Sequence, residues 1–203
     1  MKKELNIVIA GVGGQGSILA SHILAEAVIE TSGSNNVRVG ETYGAAMRGG
    51  SVSSHVRIGD VYGPLIRKDG GDIIVSLEPL EGLRNAVKYL APEGIFITND
   101  TPVLPIDVKL GYGQYPSVAE IKAMVDKLGK EVYVVPGSEL AKQAGNHRTL
   151  NSVMLGALVA TGLLPVAKET LQDMIAKRVP SKTVDTNLKA FDLGYAYMQQ
   201  VKV

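Results

Sequence analysis

The strongest constraint on this chain lies near its start, in LNIVIAGVGGQGSILASHILAEAVIE, residues 5–30. The apolar run Asn6–Ala10 reads as a strand buried on both faces. Ile18–Glu30 has helical spacing, with Ile18, Leu19, Ile23, Leu24, Ala27 and Val28 on one broad apolar side. Between them, Gly11, Gly13 and Gly16 satisfy G-x-G-x-x-G in the strand–turn–helix setting that the motif requires. By that pattern Gly11 permits the tight turn, Gly13 lets a ligand approach the backbone, and Gly16 lets helix and strand pack closely. Free N–H groups and the helix dipole then favour an anion. The loop is a variant, with an extra Gly14 and a polar Gln15 at its apex; the Gln15 amide is able to bond a ligand or a partner chain. The same glycines also suit a tight βα turn with no ligand at all.

Further along, strand and helix signals alternate. Strands are expected at Val37–Val39, Asp72–Leu77, Ile95–Thr98 and Val132–Val135. Helices are expected at Pro79–Leu90, at Val118–Leu128 after a Ser117 cap, and at Glu139–Ala144. The last sixty residues read as mostly helical, roughly Leu150–Thr161, Lys168–Lys177 and Thr183–Gln199. The alternation predicts an α/β fold: a three-layer α/β/α sandwich with a mostly parallel sheet, a Rossmann-like start and a helical C-terminal portion, in one domain over 1–203. Ser51–Ile66 reads as a β-hairpin around Gly59-Asp60, which makes the sheet mixed or adds an antiparallel flap.

Composition narrows the function. A net charge of +1 with no long basic run gives no footprint for nucleic acid. The longest apolar stretch, Val153–Leu164, is broken by Gly156, Thr161 and Gly162 and is too short for a membrane span. No leader is expected from MKKELN, and the chain reads as soluble and cytoplasmic. With no cysteine there is no disulfide, no thiol nucleophile and no iron–sulfur cluster on this chain's own thiolates.

The second unusual segment is ETYGAAMRGGSVSSHVRIG, residues 41–59. Period-two alternation sets Val52, Ser54, Val56 and Ile58 on one face, and Ser53, His55 and Arg57 on the other. Arg48 and Arg57 suit a phosphate, a carboxylate or a partner's acid; a half-exposed hairpin with ordinary surface residues fits equally well. Of the histidines, His22 reads as packed or capping, His147 as structural at a helix break, and His55 as the best placed for a functional contact. Glu78 and Glu81 suit the dipole at a helix start. Asn146, Arg148 and Asn151 either face a ligand or cap the next helix. Gly156, Ala157, Ala160 and Gly162 suggest close helix packing, at a subunit interface among other places. No histidines and acids have metal spacing, and Ser51 and Ser53 have no triad partners, so neither a metal site nor a catalytic residue is expected.

Six segments in order carry a family resemblance: GVGGQG at 11–16, RGGSVSSHVRIG at 48–59 with PLI at 64–66, EPLEGLR at 78–84, LAKQAGNHRTLNSVMLGAL at 140–158 and NLKAFDLG at 187–194. On these residues the chain resembles the gamma-type subunits of 2-oxoacid:ferredoxin oxidoreductases (the pyruvate/ketoisovalerate gamma family), above all the beta subunits of indolepyruvate:ferredoxin oxidoreductases. Met47 departs from the family, which often has Gln before Arg-Gly-Gly. The resemblance implies a non-cluster subunit, silent alone, of an enzyme of anaerobic metabolism. That enzyme oxidatively decarboxylates a 2-oxoacid to an acyl-CoA and passes electrons to ferredoxin. Thiamine diphosphate and iron–sulfur clusters would sit on the large partner subunit, and the isolated chain would self-associate. Gly11, Gly13, Gly14, Gln15 and Gly16, with Arg48, Gly49, Gly50 and Ser51, would then meet the coenzyme A phosphates or the partner. The alternative is a self-sufficient NAD(P)-dependent oxidoreductase with Glu41 on the ribose.

Overall fold

The computed structural model describes residues 4–33, 36–44 and 49–202. Its elements are β1 (Glu4–Val12), α1 (Ser17–Ser32), β2 (Val37–Tyr43), β3 (Ser51–Gly59), β4 (Gly71–Ser76), α2 (Pro79–Tyr89), β5 (Leu90–Asn99), α3 (Ile106–Lys109), α4 (Val118–Val125), β6 (Glu131–Val135), α5 (Gly137–Ala144), α6 (Leu150–Ala160), α7 (Lys168–Arg178) and α8 (Val184–Val201). The four-residue α3 carries no helical period long enough to read from sequence.

The six strands order as β2-β3-β1-β4-β5-β6. β1, β4, β5 and β6 pair in parallel, while β3 runs antiparallel to both β1 and β2. With β3 set aside, the strands follow the flavodoxin-type doubly wound order. The expected α/β sandwich with a mixed sheet is therefore present, and its one antiparallel strand is β3. The expected hairpin around Gly59-Asp60 is not: β3 ends at Gly59, and the following residues bend away without forming a strand. The reason is the sheet itself. Both edges of β3 are taken, by β1 and by β2, so a returning segment finds no free backbone groups to pair with.

Alternation along the strands divides the core between two faces. Ile7, Ile9, Val56, Ile73, Val75 and Ile97 point toward α1 and the C-terminal helices. Val8, Ile74 and Phe96 point toward α2 and α4, where Ala86, Tyr89, Ile121 and Val125 close the smaller core. α4 begins with a complete capping box, Ser117 with Glu120, as its sequence implies. α6 is buried along its whole length and crosses α8 closely. At that crossing, a Cβ on Gly156 would lie 2.0 Å from the Phe191 carbonyl oxygen, and one on Gly194 would lie 2.0 Å from that of Val153. The small residues of 156–162 thus serve close helix packing within the chain. Buried as α6 is, its Gly156, Ala157 and Ala160 offer no surface to another subunit.

Candidate functional site

The loop after β1 is closed from within. Gly14 has φ +104° and Gly16 has φ +86°, backbone states that a side chain disfavours, so these two glycines make the turn. Gly11 remains in the strand, opposite Val52. Gln15 folds back as a latch. Its Oε1 accepts the Val12 N–H at 2.8 Å, and its Nε2 donates to the Leu77 carbonyl at 3.1 Å. The latch lies across the C-terminal ends of β1 and β4, the switch point where a doubly wound sheet binds ligands. A Cβ on Gly11 would come within 2.9 Å of the latch oxygen. Gly16 does not bring helix and strand together as the motif suggests; its close neighbour is Asn151 of α6, 2.9 Å from where a Cβ would stand.

The two glycine segments of the sequence meet here. The Gly13 N–H donates to the Gly50 carbonyl at 2.8 Å, and the Gly49 N–H donates to the Gly13 carbonyl at 3.2 Å. Ser51 Oγ donates to Glu81 at 2.5 Å. Gly11, Gly13, Gly14, Gln15, Gly16, Gly49, Gly50 and Ser51 therefore form one clasped cluster. Met47 and Arg48 lie outside the described residues.

What stays open is the first turn of α1. Its leading amides have no acceptor inside the helix, and Gly16 has no side chain to cap them. Beside them lies the Ser17 hydroxyl, on a residue only 3% exposed. Both face a groove of about 450 Å³ lined by Gly13, Gly14, Ser17, Ile18, His22 and Arg178. Helix dipole, free amides and hydroxyl together suit an anionic group. The two basic side chains beside it are already engaged: His22 Nε2 lies 2.9 Å from Glu41 Oε1, and Arg178 Nε donates to Glu26 at 2.6 Å. His22 is thus exposed and hydrogen-bonded to Glu41, not packed or capping. Ser17 was missed in the sequence, where its only signal is a small hydroxyl residue just after the third motif glycine.

Glu41, the acid expected on a ribose, is not free among the described residues. β3 separates β2 from β1, and Glu41 is engaged by His22.

The polar face of β3 is covered by α2 at its centre: Ser53 and His55 are buried, while Ser51 stays exposed and Arg57 half-buried. Residues two apart on a strand rise about 6.6 Å, and residues four apart on a helix about 6 Å. The two periods match, giving three successive contacts. Ser51 bonds Glu81, Ser53 Oγ donates to Asn85 Oδ1 at 2.7 Å, and His55 meets Tyr89 edge-to-face at 4.9 Å. His55 is fully buried and its Nδ1 accepts the Ile66 N–H at 3.3 Å. Burial, with Lys88 nearby, lowers its pKa from 6.5 to about 4, so the ring is neutral and structural. Arg57 is likewise used by the fold, donating to Asn6 at 2.9 Å, to the Gly63 carbonyl at 2.8 Å and to Glu4 at 3.1 Å.

Glu78 and Glu81 do belong to the start of α2. Glu78 is its N-cap, accepting the Glu81 N–H at 2.8 Å. It also accepts the Val103 N–H at 3.2 Å and the Tyr115 hydroxyl. Burial and then this bond to Glu78 raise the Tyr115 pKa, which keeps the phenol a donor. Asn146 caps the turn at His147–Thr149 by accepting the Arg148 N–H at 3.0 Å, while Asn151 is buried apart from it against Gly16. Among the described residues no group of His, Asp and Glu is placed to hold a metal, and no helix is long and apolar enough to cross a membrane.

The fold and loop define a Rossmann-like α/β unit whose glycine turn is clasped to a neighbouring strand. The chain belongs to the pyruvate ferredoxin/flavodoxin oxidoreductase family, whose model matches residues 6–197. It is 43% identical over 95% of both chains to the indolepyruvate oxidoreductase subunit IorB of Pyrococcus horikoshii. It is 29% identical to the 2-oxoglutarate synthase subunit KorC of Methanothermobacter marburgensis, over 96% of this chain and 95% of that one. The gamma subunit of a keto/oxoacid ferredoxin oxidoreductase from Geobacter sulfurreducens superposes with a TM-score of 0.71 at 27% identity, over 97% and 99% of the two chains. The 2-oxoglutarate:ferredoxin oxidoreductase of Magnetococcus marinus, solved with 2-oxoglutarate, coenzyme A and succinyl-CoA bound, matches 98% of this chain with 32% of its own, at a TM-score of 0.70 and 25% identity. The resemblance read from the six segments is borne out.

Proposed function

We propose that this chain is the non-cluster subunit of a thiamine-diphosphate-dependent oxidoreductase that converts an aryl 2-oxoacid, indolepyruvate or a close relative, to its acyl-CoA and reduces ferredoxin. The observation that carries this reading is the 43% identity to an indolepyruvate oxidoreductase subunit over nearly the whole of both chains. The chain's own residues agree with that division of labour. It has no cysteine to ligate a cluster. The partner subunit would supply the clusters and the thiamine diphosphate.

This chain's contribution would be the groove at the start of α1. A phosphate of coenzyme A suits its free amides and the Ser17 hydroxyl, with the Gln15 latch and the Gly13–Gly50 clasp holding the loop rigid. Alone, the chain would hold no reacting group and turn over no substrate.

The test is anaerobic affinity purification of the tagged chain from its native cell, followed by assay with indolepyruvate and coenzyme A. A brown partner containing iron and thiamine diphosphate, and activity lost when this chain is left out on reconstitution, is expected. Unchanged oxidation of every 2-oxoacid without the chain defeats the reading. In the assembled enzyme, Ser17→Ala is expected to raise KM for coenzyme A several-fold, as loss of a charge-assisted hydrogen bond does. An unchanged KM removes the groove from the coenzyme A site.

A further inference from the structure

Away from the glycine loop, the surface that the fold explains least is the segment 101–116, between β5 and α4. Five large apolar side chains stand out of it into solvent: Val103, Leu104, Ile106, Leu110 and Tyr112, the last 83% exposed. From Asp100 to Pro116 only Asp100, Asp107 and Lys109 carry charge. So dense an exposed apolar stretch marks an interaction site in a folded protein.

This segment is held at three points, two through its backbone and one through a side chain. The Val103 N–H and the Tyr115 hydroxyl both donate to Oε1 of Glu78, which is 1% exposed. At its base, Asn99 Nδ2 donates to the Thr101 carbonyl at 3.3 Å. A buried carboxylate is costly to place, and this one pins a loop whose apolar side chains gain no burial within the chain. Beside it, Gln114, Tyr115, Pro116, Met124 and Lys127 line a groove of about 420 Å³ along α4.

The segment also shares an anchor with the glycine loop. The Leu77 carbonyl accepts from Gln15 Nε2 at 3.1 Å and from Asn99 Nδ2 at 3.2 Å. Both features therefore rise from the same C-terminal rim of the sheet, and a protein that covers the candidate site also reaches the segment.

We propose that segment 101–116 is the surface by which this chain docks on the larger, cofactor-carrying subunit, with Ile106 and Leu110 entering an apolar concavity there. The proposal rests on the subunit reading. In the Magnetococcus marinus oxidoreductase the matching unit makes up 32% of one longer chain, so the remainder is joined to it covalently. A separate chain needs a contact surface in place of that bond, and among the described residues this rim offers the largest run of exposed apolar side chains.

The experiment compares tagged wild type, Ile106→Asp/Leu110→Asp, the milder Ile106→Ser/Leu110→Ser, and Val87→Asp as a control on the exposed side of α2. Each is expressed in the native cell, purified anaerobically, and read by iron and thiamine diphosphate recovered per tagged chain. Circular dichroism and thermal midpoints report folding. Expected is an about ten-fold or greater loss of partner in the Asp variant and a smaller loss in the Ser variant, at unchanged thermal midpoint, with Val87→Asp matching wild type; the size follows from burying two charges without partners. Full partner recovery by the folded Asp or Ser variants overturns the proposal alone, as does loss of self-association with partner recovery intact. A wild-type chain that recovers no cofactor-bearing partner overturns the subunit reading and this proposal with it.

Discussion

At His55, strand alternation places an imidazole on the β3 face that α2 covers, and the covering decides its chemistry. The ring is fully buried, and its Nε2 has no partner among the described residues. Its pKa falls to about 4 from an unfolded value of 6.5. Between those values the unfolded chain binds a proton that the folded chain refuses, so stability from this residue is complete above pH 6.5 and is lost as pH falls toward 4. The full effect is about 3 kcal/mol at a slope of up to about 1.4 kcal/mol per pH unit. Urea unfolding between pH 4.5 and 7.5 should show wild type losing stability faster than His55→Phe by close to one proton, the carboxylates being common to both. Parallel slopes would mean that the ring takes up its proton equally in the folded and unfolded chain, and that burial does not lower its pKa. The sequence shows which face His55 shares with Ser53 and Arg57, because period two is local. That α2 covers this face depends on a segment some thirty residues away, which no local pattern contains.

Among the elements, α6 and α8 make the tightest crossing. Gly156 and Gly194 face each other's helix backbone, and either Cβ would stand 2.0 Å from a carbonyl oxygen. Backbone cannot swing aside as a side chain can, so Gly156→Ala must push the helices apart and open the core around Phe191. Overpacking of this kind costs about 3 kcal/mol or more. Thermal unfolding of Gly156→Ala and Gly194→Ala should show that loss, while Gly113→Ala, with only a distant neighbour at 3.7 Å, should not. A Gly156→Ala protein of wild-type stability would mean that the helices do not touch. The sequence displays the small residues but not which helix they meet. It displays the period of β3 but not that the strand lies between β1 and β2, which is why the hairpin at Gly59-Asp60 looks reasonable in one dimension. The glycine loop reads correctly as a turn, yet nothing local says that Gln15 is turned inward or that Gly13 is held by Gly50.

Across the whole molecule the two faces of the sheet are unequally covered. One carries α1 and the C-terminal helices, with α6 buried throughout. The other carries α2 and the two-turn α4, whose buried side chains are only Ile121 and Val125. Burial of apolar area contributes roughly 25 cal/mol per Å², so the α4 side holds less free energy and should open first as a unit. Hydrogen exchange should therefore find the amides of Val118–Val125 exchanging by a sub-global opening, and those of Leu150–Ala160 only by global unfolding. The thin layer borders the exposed segment 101–116 at Tyr115, which ties both to Glu78. A partner seated on that segment would then slow exchange in α4 and in residues 101–116 while leaving α6 as it was. Uniform protection of all three would indicate that association stabilises the chain as a whole, and that the unequal layers are not separate units of opening.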